Sequence, residues 1–370
     1  MKKRTLGLLL LATVLFVACG GREQGDDSRT EESPRFPVVE EVYMTERNEE
    51  DNVDSPAIWH GEAGDHWIIV TCKSTDRLLV HDAVTGELVR AVGVSGSGPG
   101  QFSRPNGIAV VDDLAIVVER DNHRLQVFRL PEWTVLGSFG ETDLVKPYGI
   151  ALRRDAATYI LYVTDNYEMP DGSIPPPGQL GERVKVFQLS VEENTVTGSL
   201  LHAFGATTGN GVLQLVESIC VDTLHNRLLI ADEYNKNNDI KIYDLDGAFT
   251  GEILGSDVFR YEPEGVVLFT CPDGSGYYIC TDQDMADNTF HIFDRVTLAH
   301  IGAFQAAVTA NTDGIAITQR SFAGFDEGIF VAVHNDGNVG TFDWRTIADA
   351  LALKHRCIDE TDSIADDLTP

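Results

Sequence analysis

The chain has 370 residues, 58 acidic against 28 basic, for a formal net charge of −30 and a pI near 4.5. That balance argues against nucleic acid or an anionic membrane surface as a partner, because both repel an acidic protein. The six cysteines fall in no zinc-ligand spacing, and the length calls for either two domains or one long repeat-built domain.

The first residues carry a targeting pattern. Lys2-Lys3-Arg4 is basic, Leu6 to Val17 is apolar, and Phe16-Val17-Ala18-Cys19 ends on a small residue before Cys. Residues 1–18 therefore read as a signal peptide, too short for a transmembrane helix. The pattern resembles a bacterial lipoprotein signal. It implies export, cleavage before Cys19 and membrane anchoring through a lipid on that thiol; Phe16, where Leu is usual, leaves plain secretion as the alternative. Residues 19–36 are polar and acidic with almost nothing to bury, and read as a flexible tether.

From Phe36 onward the chain alternates short β-prone runs with turns. Phe36 to Met44 has strand character. Six repeating units follow, each opened by a polar residue and a short apolar run, at Ile58, Ile108, Ile150, Ile219, Val266 and Ile315. Most units hold four runs. In the second they are Asn106–Val111, Leu114–Glu119, Arg124–Arg129 and Thr134–Phe139; in the fourth, Glu217–Val221, Arg227–Asp232, Ile240–Leu245 and Phe249–Leu254. The clearest hairpin is Val266–Phe269 and Tyr277–Ile279 about the turn Pro272-Asp273-Gly274-Ser275-Gly276. Third runs are alike throughout: RLLVHD from Arg77, RLQVFR from Arg124, RVKVFQ from Arg183, DIKIYD from Asp239, TFHIFD from Thr289 and NVGTFD from Asn338. Units of this length with four strands each define an all-β, six-bladed β-propeller over residues 37–356. The last unit lacks a fourth run and ends instead in a helical pattern, Trp344 to Leu353, before an acidic tail at 357–370. Phe36 to Met44 then supplies the missing outer strand, and the closed ring is expected to be a monomer. Cys271 and Cys280 flank one turn and are candidate cross-strand partners; Cys72, Cys220 and Cys357 read as buried thiols.

In a propeller the first strand starts, and the second ends, at one mouth of the central channel. Inner-strand starts place Asp54, Asn106, Tyr148, Glu217, Glu264 and Asp313 there, with Asp51 and Glu262 just upstream. Second-strand ends add Lys73, Glu119-Arg120, Asp165, Asp232-Glu233, Asp282-Gln283 and Asn335-Asp336. Convergent carboxylates raise one another's pKa or recruit cations, and dense oxygen donors suit Ca²⁺. The competing reading is that these acids only sign turns, which Asp and Asn favour anyway. The loop Met169 to Glu182 is expected to overhang this mouth. The Gly-rich loop Gly93 to Pro105 opens no helix and so is not a phosphate-cradling loop.

These residues resemble the β-propeller phytases, calcium-dependent phosphatases of inositol hexakisphosphate. The likeness rests on Asp51-Asn-Val-Asp54-Ser-Pro-Ala-Ile-Trp59, Glu262-Pro-Glu264-Gly265, Asn311-Thr-Asp313-Gly-Ile315 and the closing Gly328-Ile-Phe-Val-Ala-Val with Asp343-Trp344. It implies calcium ligands at Asp54, Glu217, Glu233, Glu262, Glu264, Gln283 and Asp313. It implies phosphate-binding catalytic groups at Lys73, Arg120 and Tyr148, with phytate or a related phosphate ester as substrate. The sequence departs from that pattern at Ser55, at Arg104-Pro-Asn-Gly-Ile-Ala109, at Asp165-Asn166 and at Ser218. Gly98 to Ala109 looks instead like an NHL-type propeller repeat. Two further readings therefore stand: a non-catalytic surface propeller binding protein or glycan, and an NHL or lactonase-like propeller enzyme.

Overall fold

In the computed structural model, which describes residues 35–234 and 238–357, the β-branched and aromatic runs form six sheets of four or five strands. The signal segment, Cys19 and nearly all of the tether and acidic tail lie outside the described residues. The inner strands are Val53–His60, Pro105–Val111, Pro147–Asp155, Val216–Asp222, Glu262–Thr270 and Ile315–Thr318. Each touches the next and the last touches the first, so the ring closes about a central channel. The fold is a six-bladed β-propeller with one short C-terminal helix. Among the described residues no helix is long and apolar enough to cross a membrane.

Apolar side chains from facing sheets interlock between blades. Trp59, Trp67 and Phe128 fill the seam between the first and second blades, and Phe269, Phe290 and Phe330 that between the fifth and sixth. The helix Trp344–Leu351 is capped by the Asp343 side chain, which accepts the Arg345 amide, and Trp344 stacks on Phe269 at 4.5 Å.

The N-terminal segment closes the ring differently from the simple expectation. Tyr43–Met44 does pair with Asn338–Asp343 as the outer strand of the last blade. Val38–Val39, however, adds a fifth, parallel strand to the fifth blade beside His300–Ala306. Two blades are thus clasped by one segment. The repeat register also shifts in the first blade, where Pro56 and not Ile58 stands level with Ile108. A Pro in that slot hides the match from an apolar pattern.

The pairing of Cys271 with Cys280 is not what forms. Cys280 lies opposite Val266 inside the hairpin and stays a buried thiol, while Cys271 bonds Cys357. That bridge fastens the segment after the helix to the fifth blade and closes a loop spanning 86 residues. Cys357→Ser is expected to cost about 2–4 kcal/mol in urea unfolding, with no loss for Cys280→Ser beyond its packing.

The acids divide into two classes. Glu119, Asp165, Asp232 and Asp282 each accept backbone amides from the loop entering their own blade: Ser103; Val145 and Lys146; Gln214 and Leu215; Arg260 and Tyr261. Third strands supply the counter-charge, Arg124 to Glu119 and Lys241 to Asp232 at 2.7 Å each, and Arg77 likewise to Asp51. This accounts for the cation in the third-run pattern. The Arg124 guanidinium also donates to the carbonyls of Ser97, Gly98 and Gln101, so the Gly-rich loop cradles a guanidinium. For these acids the turn-signing reading holds.

Candidate metal centre at the acidic mouth

The second class of acids sits where the strand ladder breaks. Pairing with the second strand slips between Val53 and Pro56, Pro105 and Ile108, Pro147 and Ile150, Val216 and Ile219, and Pro263 and Val266. The extra residues in these bulges include Asp54, Asn106, Tyr148, Glu217 and Glu264; Asp313 holds the matching place before Ile315. A bulge bends the strand and re-aims a side chain that regular pleating would send into the sheet. The residue that follows is small, because the next inner strand passes against it. A Cβ on Gly149 would lie 2.1 Å from the Glu217 carbonyl oxygen, and one on Gly314 2.4 Å from that of Asp54. Thr164 Oγ1 accepts the Gly149 amide at 2.8 Å and donates to the Glu217 carbonyl at 2.7 Å, fixing two neighbouring bulges together. Gly149→Ala is therefore expected to destabilise by about 1–3 kcal/mol and to weaken cation binding in the same titration, since the clash is with the Glu217 backbone.

The re-aimed side chains meet on the axis. Lys73 Nζ lies 2.7 Å from Asp54 Oδ1 and 3.3 Å from Asp313 Oδ2, buried between the two. The Tyr148 hydroxyl donates to Asp54 Oδ1 at 3.2 Å, Ser55 Oγ donates to Asp54 Oδ2 at 3.0 Å, and Gln283 Nε2 donates to Asp313 Oδ1. Beside them, Glu217, Glu233 and Glu264 bring a carboxylate oxygen each to within 4.8 Å of one another.

Burial and mutual repulsion set the charge state. Burial first, then Asp54, pushes Glu217 up to about 8, against the pull of Lys73. Burial and the Asp54 charge push Asp313 up to about 7, again opposed by Lys73. Burial pushes Glu233 and Glu264 well above the usual carboxylate range, with Glu217 repelling both. Burial holds Tyr148 in its neutral form. Nearby charges outweigh desolvation for Lys73, which Asp54 and Asp313 keep firmly protonated.

Of the buried polar groups that lack partners among the described residues, those of Glu233 and Asn106 belong to residues expected at this mouth. Glu233 Oε1 accepts nothing, and both amide atoms of Asn106 are unbonded although the residue is fully buried. Unpaired buried polar atoms cost about 1–3 kcal/mol each, and the Glu233 oxygen sits with carboxylates that repel it. Hard oxygen donors, an unused carboxylate oxygen and an excess of negative charge fit a calcium-like cation. Asn106 carries no acidic signal, so a search for carboxylates passes over it; the unit alignment is what puts it in the ring.

Other expected site residues stand apart. Arg120 turns to Asp121 at 2.7 Å, with no bond to the cluster. Glu262 is exposed at its strand start, opposite Gln283 in the backbone register, yet near enough for its charge to act on Glu233. The loop after the third blade's second strand is pinned to that blade: the Tyr167 hydroxyl donates to the Gln179 carbonyl, Leu180 is buried, and Arg183 lies over the Tyr167 ring.

A family model for the NHL repeat matches residues 102–128, which span the second blade's first strand through most of its third. No curated protein matches the sequence significantly. Among solved structures, regucalcin, a calcium-binding protein from Agrobacterium tumefaciens, aligns with a TM-score of 0.48 at 12% identity, over 83% of this chain and 96% of that one.

Proposed function

We propose that the acidic mouth holds a hard divalent cation, with Ca²⁺ the best match, and that the protein is a metal-dependent hydrolase of lactones or comparable uncharged esters. The observation that carries this reading is the disposition of charge. Lys73 is already neutralised by Asp54 and Asp313, while Glu217, Glu233 and Glu264 form no ion pair among the described residues. A phosphate ester would bring further negative charge to a mouth whose two expected cations, Lys73 and Arg120, are both engaged. An uncharged ester brings none. The NHL repeat in the second blade agrees with this choice.

Glu217, Glu233 and Glu264 would hold the cation. When bound, such an ion polarises an ester carbonyl and lowers the pKa of an attacking water. The Asp54–Lys73–Asp313 bridge fixes the ring beside it. Tyr148, kept neutral by burial, donates its hydroxyl to Asp54 and so helps to hold that bridge in place. A calcium-dependent phosphatase is the second reading, favoured by one fact: six carboxylates and amides implied by the phytase resemblance, at Asp54, Glu217, Glu233, Glu264, Gln283 and Asp313, lie about one axis.

The test is a panel of lactones and aryl esters, with phytate in parallel, in Ca²⁺ and in EDTA. Calcium-dependent lactone or ester hydrolysis that Glu264→Gln abolishes is the expected result. Phosphate release from phytate without ester cleavage would move the assignment to the second reading; no turnover of any substrate at saturating Ca²⁺ would leave a cation-binding propeller without an active site.

A further inference from the structure

The channel does not end at the acidic cluster. Behind the bulges, whose Gly107, Gly149 and Gly265 mark its near end, a cavity of about 700 Å³ runs along the inner strands toward the opposite face. Its middle is aliphatic, with one side chain from each blade: Ile58, Val110, Leu152, Val221, Leu268 and Ile317. The far mouth is different in character. Four arginines line it, Arg153, Arg154, Arg295 and Arg320, against two carboxylates, Glu62 and Asp112. Carboxylates offset most of that charge, and one guanidinium stands out.

Three of these arginines are engaged. Arg154 pairs with Asp112, Arg295 with Asp222 at 2.7 Å, and Arg153 approaches Asp155 at 3.7 Å. Arg320 is exposed and makes no ion pair with any described residue, although it lines the cavity mouth. Near it, His60 Nε2 bonds Thr318 Oγ1 at 2.9 Å, and Gln319 is tied to the Thr270 backbone, so the rim about Arg320 is rigid. Small-molecule sites are typically apolar cavities of this size with a few placed polar groups.

We infer that this far half of the channel is a second binding site, for an amphiphilic monoanion with a hydrocarbon body in the aliphatic barrel and its carboxylate at Arg320. Apolar burial along the barrel supplies affinity, and the single guanidinium selects the sign of the head group. The site is separate from the acidic mouth and does not depend on the hydrolase reading.

Titration calorimetry with dodecanoate below its micellar concentration, in EDTA, tests this on the full chain. The wild type is expected to bind one dodecanoate and to bind dodecyltrimethylammonium much more weakly. Arg320→Glu, on an exposed side chain, is expected to weaken dodecanoate binding by about tenfold or more. Val221→Trp fills the barrel and should abolish binding; Ile317→Phe serves the same end if that variant fails to fold. Glu264→Gln should leave binding unchanged. Equal binding of the cationic amphiphile, or undiminished binding by both Arg320→Glu and the barrel-filling variant, would overturn the inference.

Discussion

Replacing Glu233 with Gln is expected to move stability in opposite directions with and without calcium. In the cation-free protein the change removes one buried carboxyl that Glu217 and Glu264 repel. Relief of that burial and repulsion is expected to raise the unfolding free energy at pH 8. In the wild type, calcium at a hundred times its dissociation constant should add about 2.7 kcal/mol; in Glu233→Gln most of that gain should vanish. Urea unfolding with Ca²⁺ and with EDTA reads both effects. A variant less stable than wild type in EDTA and still stabilised by calcium would refute the metal centre.

The same cluster predicts an unusual pH profile. Glu217 and Asp313 titrate near 8 and 7 in the folded chain, above their ordinary carboxylate values. Between about pH 4.5 and 8 the native state therefore holds more protons than the unfolded state, and stability falls as pH rises. The cation-free protein should be more stable at pH 5.5 than at pH 8.5. Saturating calcium should erase that difference, because the cation replaces the protons. A flat profile in EDTA would count against buried, repelling carboxyls.

The second large effect is expected from Lys73→Met. Lys73 is the counter-ion of two buried carboxylates, and removing it leaves Asp54 and Asp313 facing each other. Breaking a buried pair from one side costs about 3–5 kcal/mol. If Lys73 acts as a counter-ion, calcium should recover part of that loss, so the calcium-induced rise in unfolding midpoint should be larger in Lys73→Met than in wild type. If instead its role is to hold a substrate phosphate, the variant should lose phosphatase activity with little change in stability. Measuring midpoint and turnover on one preparation separates the two.

The strands of the second blade show how much was legible beforehand. Leu114–Glu119, Arg124–Arg129 and Thr134–Phe139 fall where alternation and turn residues place them. The capped helix from Trp344 is equally plain, since Asp343 and the apolar spacing sit next to each other in the chain. Pro56 escaped because it fills an aliphatic slot without being aliphatic. The partner of Cys271 escaped because it lies across a loop of 86 residues, and spacing says nothing about closure over that distance.

The sequence alone determined the number of blades, the edges of most strands and the identity of the polar residue that opens each inner strand, because these depend on alternation and turn chemistry within a few neighbours. It could not separate Glu119, Asp165, Asp232 and Asp282, which tie down loops, from Glu233, which crowds the axis with Glu217 and Glu264. All five stand at or next to the end of a second strand. Only ring closure and the bulges in five of the inner strands decide which carboxylates share a volume, since those set the direction of a side chain relative to the other blades.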